Sequence, residues 1–448
     1  MDFYQYVLDN KHTILEQTKE LLKIPSVLTE FDPESEFPFG EAINDALHFM
    51  LNLAHDDGFV TKNVSNYAGH IEFGKGKEIL GVLCHLDVVP VGDNWTHPPF
   101  SPTIKDGKIY ARGSSDDKGP TMAAYFALRF LKELGVEPNK RVRIILGTDE
   151  ETSWRGINQY FKTEEMPASG FAPDASFPLI YGEKGLFTFD IMGNMEDNDL
   201  LTFTAGDRYN VVPDYAECTL NIDLQEEFEK YLSFNNFKGE VLENKYIIHG
   251  KRAHAMQPNL GMNAAFILAD FLNQNIDNKF VKFICKKLCF DHLGEKLGIE
   301  HHDPEMKEFT MNPAVFEYHD NSFKIGVNCR YPNGWDKENA KLKITEAVNK
   351  YDFKYEVISD MPVHYVPTTD PLVQTLHQAY IKYTDDTESP LITIGGGTYS
   401  RALKNAVAFG PMMPGRKDVA HQIDEYFYVE DLLLATAIYM EAIYQLTK

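Results

Sequence analysis

Two apolar stretches of strand length flank one helix-patterned stretch, and charged residues follow each strand at its carboxyl end. The strands are Ile79-Leu-Gly-Val-Leu-Cys84 and Arg141-Val-Arg-Ile-Ile-Leu146. Between them, Lys118 to Leu134 sets Met122, Phe126, Phe130 and Leu134 on one helical face, with Pro120 near its start and Gly135 at its close. An earlier helix is expected over residues 11–24, ending before Pro25. Strands alternating with helices of about 12 to 17 residues predict an α/β domain with a central, mostly parallel sheet and helices on both faces. Ligands of such sheets gather beyond the carboxyl ends of the strands. His85 and Asp87 follow the first strand, Glu150 and Glu151 the second, and Asp116 stands at the helix entrance.

The texture changes near residue 186. Leu186–Ile191, Cys218–Leu224 and Phe323–Arg330 alternate like strands with one buried face, and helices are expected over Asn263–Asn273 and Asp336–Tyr351. From about residue 368 the α/β texture returns: helix Pro371–Tyr383, strand Leu391–Ile394, the Gly395-Gly-Gly397 loop, strand Ala406–Gly410, and a last helix from Val429 to Leu446. The expected organisation is a catalytic domain in two parts, residues 1–185 and 368–448, interrupted by an inserted α+β domain over residues 186–367.

At 448 residues the chain exceeds one ordinary core, which agrees with two domains. A net charge of -24 disfavours nucleic acid and anionic membrane surfaces as partners. Met1-Asp-Phe-Tyr-Gln-Tyr-Val-Leu-Asp-Asn10 lacks a basic region followed by an apolar run, so no signal peptide is expected. No apolar run approaches the roughly 18 residues of a membrane span. Five cysteines at unpatterned spacings fit a reducing cytoplasm, and Cys285 and Cys289 read as core thiols on one helix face.

Several local patterns could carry chemistry. In His85-x-Asp87 the carboxylate could fix the tautomer of a metal-ligating imidazole, although the pattern alone is common and far more often structural. Asp116-Asp117 beside a helix start implies a cation or hydrogen bonds to absorb the charge; a helix cap would also do so. Glu150 and Glu151, with Asp149, end an apolar strand, a costly place for three charges without cations. Neighbouring residues there can face opposite ways, one to ligate and one to take a proton. Asp174 and His421 would not be chosen from local sequence. The triple glycine lacks the Gly-Lys-Ser/Thr ending of a P-loop and reads as a close approach of backbone to ligand. No Gly-x-Ser-x-Gly elbow is present, so serine-hydrolase chemistry has no support.

In order along the chain stand His85-Leu-Asp-Val-Val-Pro90, Ala111-Arg-Gly-Ser-Ser-Asp-Asp-Lys-Gly-Pro120, Thr148-Asp-Glu-Glu151, Gly395-Gly-Gly-Thr-Tyr399 and Ala420-His-Gln-Ile-Asp-Glu425. In this set the chain resembles, from about Leu22 to its end, the co-catalytic di-metal peptidases that include carnosinases, carboxypeptidase G and succinyl-diaminopimelate desuccinylase. It is most similar to their bacterial peptidase V-type dipeptidases. The resemblance implies two divalent metal ions per chain, zinc foremost and manganese or cobalt also suited. His85 and Asp174 would hold one ion, Glu151 and His421 the other, and Asp116 would bridge them before a cis bond to Asp117. Asp87 would orient His85, and Glu150 would be the general base. From the inserted domain, acting as a lid, His254 would stabilise the oxyanion and Arg330 would hold the substrate carboxylate. Asn210, Gly396 and Thr398 would contact substrate. The enlarged lid of this branch implies a monomer.

Two positions depart from the family pattern. Ser176 stands where an acidic residue is expected, and Arg416-Lys417 where an acidic pair is more usual, so added positive charge near the cleft is expected. The implied activity is cytoplasmic hydrolysis of dipeptides with a free C-terminal carboxylate. The rivals are an N-acyl amino acid deacylase or desuccinylase on the same scaffold and a non-catalytic binding relative.

Overall fold

The computed structural model describes residues 2–195 and 199–448. Met1 and residues 196–198, inside the expected first and second segments, lie outside the described residues. The chain divides into two compact units: Met1–Gly182 with Tyr365–Ile392 and Thr398–Lys448, and Glu183–His364 with Thr393–Gly397.

The first unit is built on a mixed sheet whose centre is parallel. Arg141–Gly147, Ile79–His85, Ser169–Ala172 and Ala406–Ala408 lie side by side and run the same way. Antiparallel strands border them, Ala68–Phe73 beside Arg141–Gly147 and Val60–Val64 beyond it. Side-chain alternation decides what each face meets. Leu80, Val82, Cys84, Val142, Ile144 and Leu146 enter one core, shared with the helices Lys11–Leu22, Glu41–Asp56, Lys118–Glu133 and Val429–Thr447. Leu83 and Ile145, half a period away, enter a smaller core with Ile157, Tyr160, Tyr399 and Leu403. Residues 79–84 and 144–146 are apolar on both faces because both faces are covered.

The second unit carries an eight-stranded antiparallel sheet in the order Lys238–Leu242, Lys245–His249, Tyr215–Leu220, Leu200–Ala205, Thr310–His319, Ser322–Tyr331, Gly185–Asn194, Lys354–Met361. Phe187, Phe189, Ile191, Ile325 and Val327 join the helices Ala264–Asn275, Lys279–Lys287 and Lys337–Asn349 in its core. The alternate positions Thr188, Asp190, Asn328 and Arg330 are polar yet buried, so this sheet is not a simple apolar-in, polar-out layer. Cys285 and Cys289 pack against that core with their sulfurs 4.0 Å apart, and all five cysteines are free thiols. Among the described residues no helix is long and apolar enough to cross a membrane.

Candidate active site

Three neighbouring parallel strands each deliver charged groups at their carboxyl ends. His85 is the last residue of Ile79–His85, Glu150 and Glu151 follow Arg141–Gly147, and Asp174 follows Ser169–Ala172. Asp116 sits just before the helix Lys118–Glu133, and the Asp116–Asp117 peptide is cis. His421 arrives from the C-terminal part of the chain in a left-handed backbone conformation.

These residues converge. Asp116 Oδ1 lies 3.1 Å from His85 Nε2, while its Oδ2 lies 3.0 Å from His421 Nε2. Asp174 Oδ1 is 3.9 Å from His85 Nε2, and Glu151 Oε2 is 3.1 Å from His421 Nε2. Two donor triads result, His85–Asp116–Asp174 and Asp116–Glu151–His421, each with its donor atoms within 4.8 Å of one another. Asp116 belongs to both and turns one oxygen to each.

Neighbouring groups hold the ligands. His85 Nδ1 is 3.0 Å from the backbone carbonyl of Asp87, which leaves Nε2 facing the acids. The Asp87 carboxylate, 3.6 Å from Nδ1, accepts the backbone N–H groups of Glu150 and Glu151 at 3.1 and 3.0 Å. Asp117 turns away from the triads: its Oδ2 accepts the His85 backbone N–H at 3.0 Å and the Thr121 hydroxyl at 3.2 Å. Asp149, third acid of its run, is taken up by Arg155, whose Nε and Nη2 both donate at 2.8 Å. Tyr399 backs the cluster, its ring edge-on to His85 at 6.1 Å. Gly147 makes room for it, since a Cβ there would lie 2.0 Å from the Tyr399 hydroxyl.

The electrostatics describe a site with too few cations. Burial pushes the Glu150 carboxyl well above its usual range, with Asp174 and Glu151 adding to the rise against His85. Burial likewise lifts Glu151 to about 7 and raises Asp174. Burial lowers His85, but hydrogen bonds to Asp116, Asp174 and Asp87 outweigh it and hold the imidazole well above its usual value. Hydrogen bonds to Asp116 and then Glu151 raise His421 to about 11. Asp116 remains below the carboxylate range: burial raises it, and its hydrogen bonds to His421 and His85 more than reverse that. Among the described residues no lysine or arginine is bonded to Asp116, Asp174, Glu150 or Glu151. Carboxylate and imidazole donors without thiolates, one carboxylate shared between two triads, fit a pair of divalent cations.

A profile for peptidase family M20/M25/M40 matches residues 81–445. A Staphylococcus epidermidis protein named "Putative dipeptidase" is 44% identical over 461 residues, spanning 98% of this chain and 98% of its own. A Staphylococcus aureus protein of the same description is 43% identical, with 97% of each chain covered. The chain belongs to peptidase family M20/M25/M40. Its fold is shared with PepT aminopeptidase from Bacillus cereus (TM-score 0.60, 16% identity, 98% of this chain and 99% of that one). Human carnosine dipeptidase 1 is similar in fold as well (TM-score 0.59, 14% identity, 99% and 98% covered). This member of the M20 family is therefore a metallopeptidase.

The remaining sequence candidates lie elsewhere in this M20 peptidase. His254, Arg330, Asn210 and Gly396 belong to the second unit, and Thr398 to the first. Within the second unit, Val211 pairs with His254 across a short bridge, and Ala255 N–H donates to the Asn210 carbonyl at 2.9 Å. Burial, then the Arg330 charge, lowers the His254 imidazole. Arg330 is held by Asn328 at 2.9 Å and by the Gly395 carbonyl at 3.2 Å, and Asn328 is held in turn by Thr188 at 2.8 Å. Thr398 Oγ1 accepts the Ser400 N–H at 3.3 Å, capping a short 3-10 turn.

The expected gain of positive charge from Arg416 is corrected. Its guanidinium makes two bonds to Asp431, at 2.8 and 2.9 Å, and one to Glu430 at 2.5 Å, so nearby acid neutralises it. Sequence reasoning gave no role to Arg112, Glu425 or Tyr399. Their signal was present only as membership in the quoted runs.

Proposed function

We propose that this M20 peptidase is a dipeptidase that binds two divalent metal ions and cleaves dipeptides carrying a free C-terminal carboxylate. One observation carries the reading: two donor triads that share Asp116, with Glu150 beside them and free of any ligating contact with the two histidines. The names of the two staphylococcal relatives support the substrate class. His85 and Asp174 would hold one ion and Glu151 and His421 the other, with Asp116 able to serve both. Zinc is the first candidate, and manganese and cobalt suit the same donors. When bound, the ions supply a Lewis acid for the scissile carbonyl and lower the pKa of water.

The protein does the rest. Glu150 takes the proton of the attacking water and passes it to the leaving amine, and burial makes its carboxylate a stronger base than an exposed one. Asp87 fixes the His85 ring through its carbonyl and sets the Glu150–Glu151 turn through its carboxylate. From the second unit, His254 stabilises the oxyanion and Arg330 pairs with the substrate carboxylate, while Asn210, Gly396 and Thr398 contact substrate. In this reading the inserted domain expected over residues 186–367 acts as a lid, and the enzyme works as a cytoplasmic monomer.

A panel of dipeptides, dipeptide amides and N-acyl amino acids tests this. Free dipeptides should be cleaved best. Arg330→Ala should raise KM and erase the preference for carboxylate over amide, whereas His254→Ala should fall mainly on kcat. Faster turnover of N-acyl amino acids than of dipeptides would move the function to deacylation.

A further inference from the structure

Two charged side chains behind the metal-ligand cluster are more deeply buried than most of the ligands themselves: Arg112 is 1% exposed and Glu425 0%. Arg112 stands four residues before Asp116, and Glu425 four residues after His421. They form one ion pair, Nη1 to Oε2, at 2.7 Å. The other oxygen of Glu425 faces the Asp116 loop. There Oε1 accepts the Ser115 N–H at 2.9 Å, the Ser115 hydroxyl at 3.0 Å and the N–H of Asp116 itself at 3.3 Å.

Arg112 faces two further ligand-bearing segments. Its Nη1 also donates to the carbonyl of Gln422, next to His421, at 3.2 Å. Its Nη2 donates at 3.3 Å to the carbonyl of Pro90, three residues beyond Asp87. The guanidinium lies over the Trp95 ring, 5.0 Å from its centroid. The backbone repeats the link, with Ala111 N–H donating to the Glu425 carbonyl at 3.1 Å.

We propose that the Arg112–Glu425 pair is a clasp that positions Asp116 and His421, and so sets the affinity of the enzyme for its divalent ions. The proposal rests on the two-metal reading above. The antiparallel pairing of Lys108–Tyr110 with Tyr426–Tyr428 brings the two segments together, but Arg112, Ser115 and Asp116, like Gln422, lie beyond its end and outside any helix or strand. Past the end of that ladder, side-chain bonds fix where the two ligand loops sit. A buried ion pair is poor evidence for stability, because desolvation offsets its attraction. Groups that orient metal ligands commonly change metal affinity by about 10–100-fold when removed. Arg112 and Glu425 are positioning residues, since each acts through the ligand loop it holds.

The test is a Mn2+ titration of full-length protein stripped by chelator, read with a competing indicator, for wild type, Glu425→Gln and Arg112→Lys. Glutamine cannot present acceptors to both Arg112 and the Ser115–Asp116 amides, and lysine cannot reach both carbonyls and Glu425. Both variants should melt cooperatively and bind Mn2+ at least about 10-fold more weakly. Activity should return at high Mn2+, which a merely structural role would not produce. The control is Arg143→Lys, at a buried pair remote from the ligands, which should keep wild-type Mn2+ affinity.

Mn2+ affinity within about twofold of wild type in both clasp variants would overturn the proposal. So would an equal loss in Arg143→Lys, or failure of both clasp variants to fold, either of which assigns the pair to general stability. Wild type binding fewer than two Mn2+ per chain would instead overturn the two-metal reading.

Discussion

The two ends of the strand Arg141–Gly147 treat charge in opposite ways. Toward its amino end both arginines of the strand have carboxylate partners. Arg143 donates from Nε to Glu72 at 2.8 Å, with Nη2 2.6 Å from the same carboxylate, and Arg141 meets Glu165 at 2.8 Å. Past its carboxyl end, Glu150 and Glu151 join Asp116 and Asp174, and among the described residues His85 and His421 are the bases that answer them. At the first end the sheet is closed by salt bridges within the protein. At the second, burial and then neighbouring carboxylates lift the carboxyl pKa values, and among the described residues no lysine or arginine is bonded to these acids. These acids therefore mark the candidate site, whereas Glu72 and Glu165, each with its arginine at the far end, hold the sheet.

The sharpest way to break that contrast is to remove divalent metal. Chelation should abolish turnover and lower the thermal midpoint, because ligand binding to the native state adds stability. Each ion at about 100 times its Kd contributes roughly 2.7 kcal/mol. Restored zinc, manganese or cobalt should bring turnover back to different degrees. An enzyme fully active in chelator would remove the distinction between the two ends.

The paired end should respond to mutation in stability alone. Glu72→Gln leaves the buried Arg143 without its carboxylate and should cost about 3 kcal/mol in urea unfolding. Metal content and KM should stay as in wild type. Loss of metal in this variant would mean the two ends are coupled along the strand.

A smaller effect concerns His70, whose Nδ1 is 2.8 Å from the Tyr160 hydroxyl beside Arg143. Burial, then the Arg143 charge, lowers its imidazole to about 4. The unfolded chain therefore takes up the proton first as pH falls. Stability contributed by neutral His70 is full above about pH 6.5 and declines toward pH 4, by at most about 3 kcal/mol. His70→Gln should flatten the fall in unfolding free energy between pH 7 and pH 5, and an unchanged slope would show that other groups carry it.

The legible parts of the fold were those with local signals. The helix expected over Lys118–Leu134 is observed at Lys118–Glu133, and the strand at Arg141 runs one residue past Leu146. The strand expected over Cys218–Leu224 is Tyr215–Leu220. Its alternation ran on into Asn221-Ile-Asp-Leu224, but there the backbone turns: Asn221 N–H donates to Asp199 at 2.8 Å and Leu224 N–H to the Tyr246 hydroxyl at 2.7 Å. Within the site, His85, Asp116 and Glu151 stood out because each charge sits where a strand or helix ends. Asp174 and His421 have no local mark and entered only through the resemblance. Arg112 and Glu425 escaped notice because their meaning is their pairing across 313 positions. Arg416 was misjudged because Glu430 and Asp431, which absorb its charge, come a turn and a strand later.

The central claim is that neighbouring glutamates beyond one strand have different duties, Glu151 to metal and Glu150 to the proton. Elemental analysis and dipeptide turnover of Glu150→Gln and Glu151→Gln, prepared side by side, test it most directly. Glu150→Gln should hold two ions per chain and lose about 10²–10⁴-fold in turnover, and Glu151→Gln should lose metal. The reverse pattern, metal lost with Glu150 and kept with Glu151, would contradict the account.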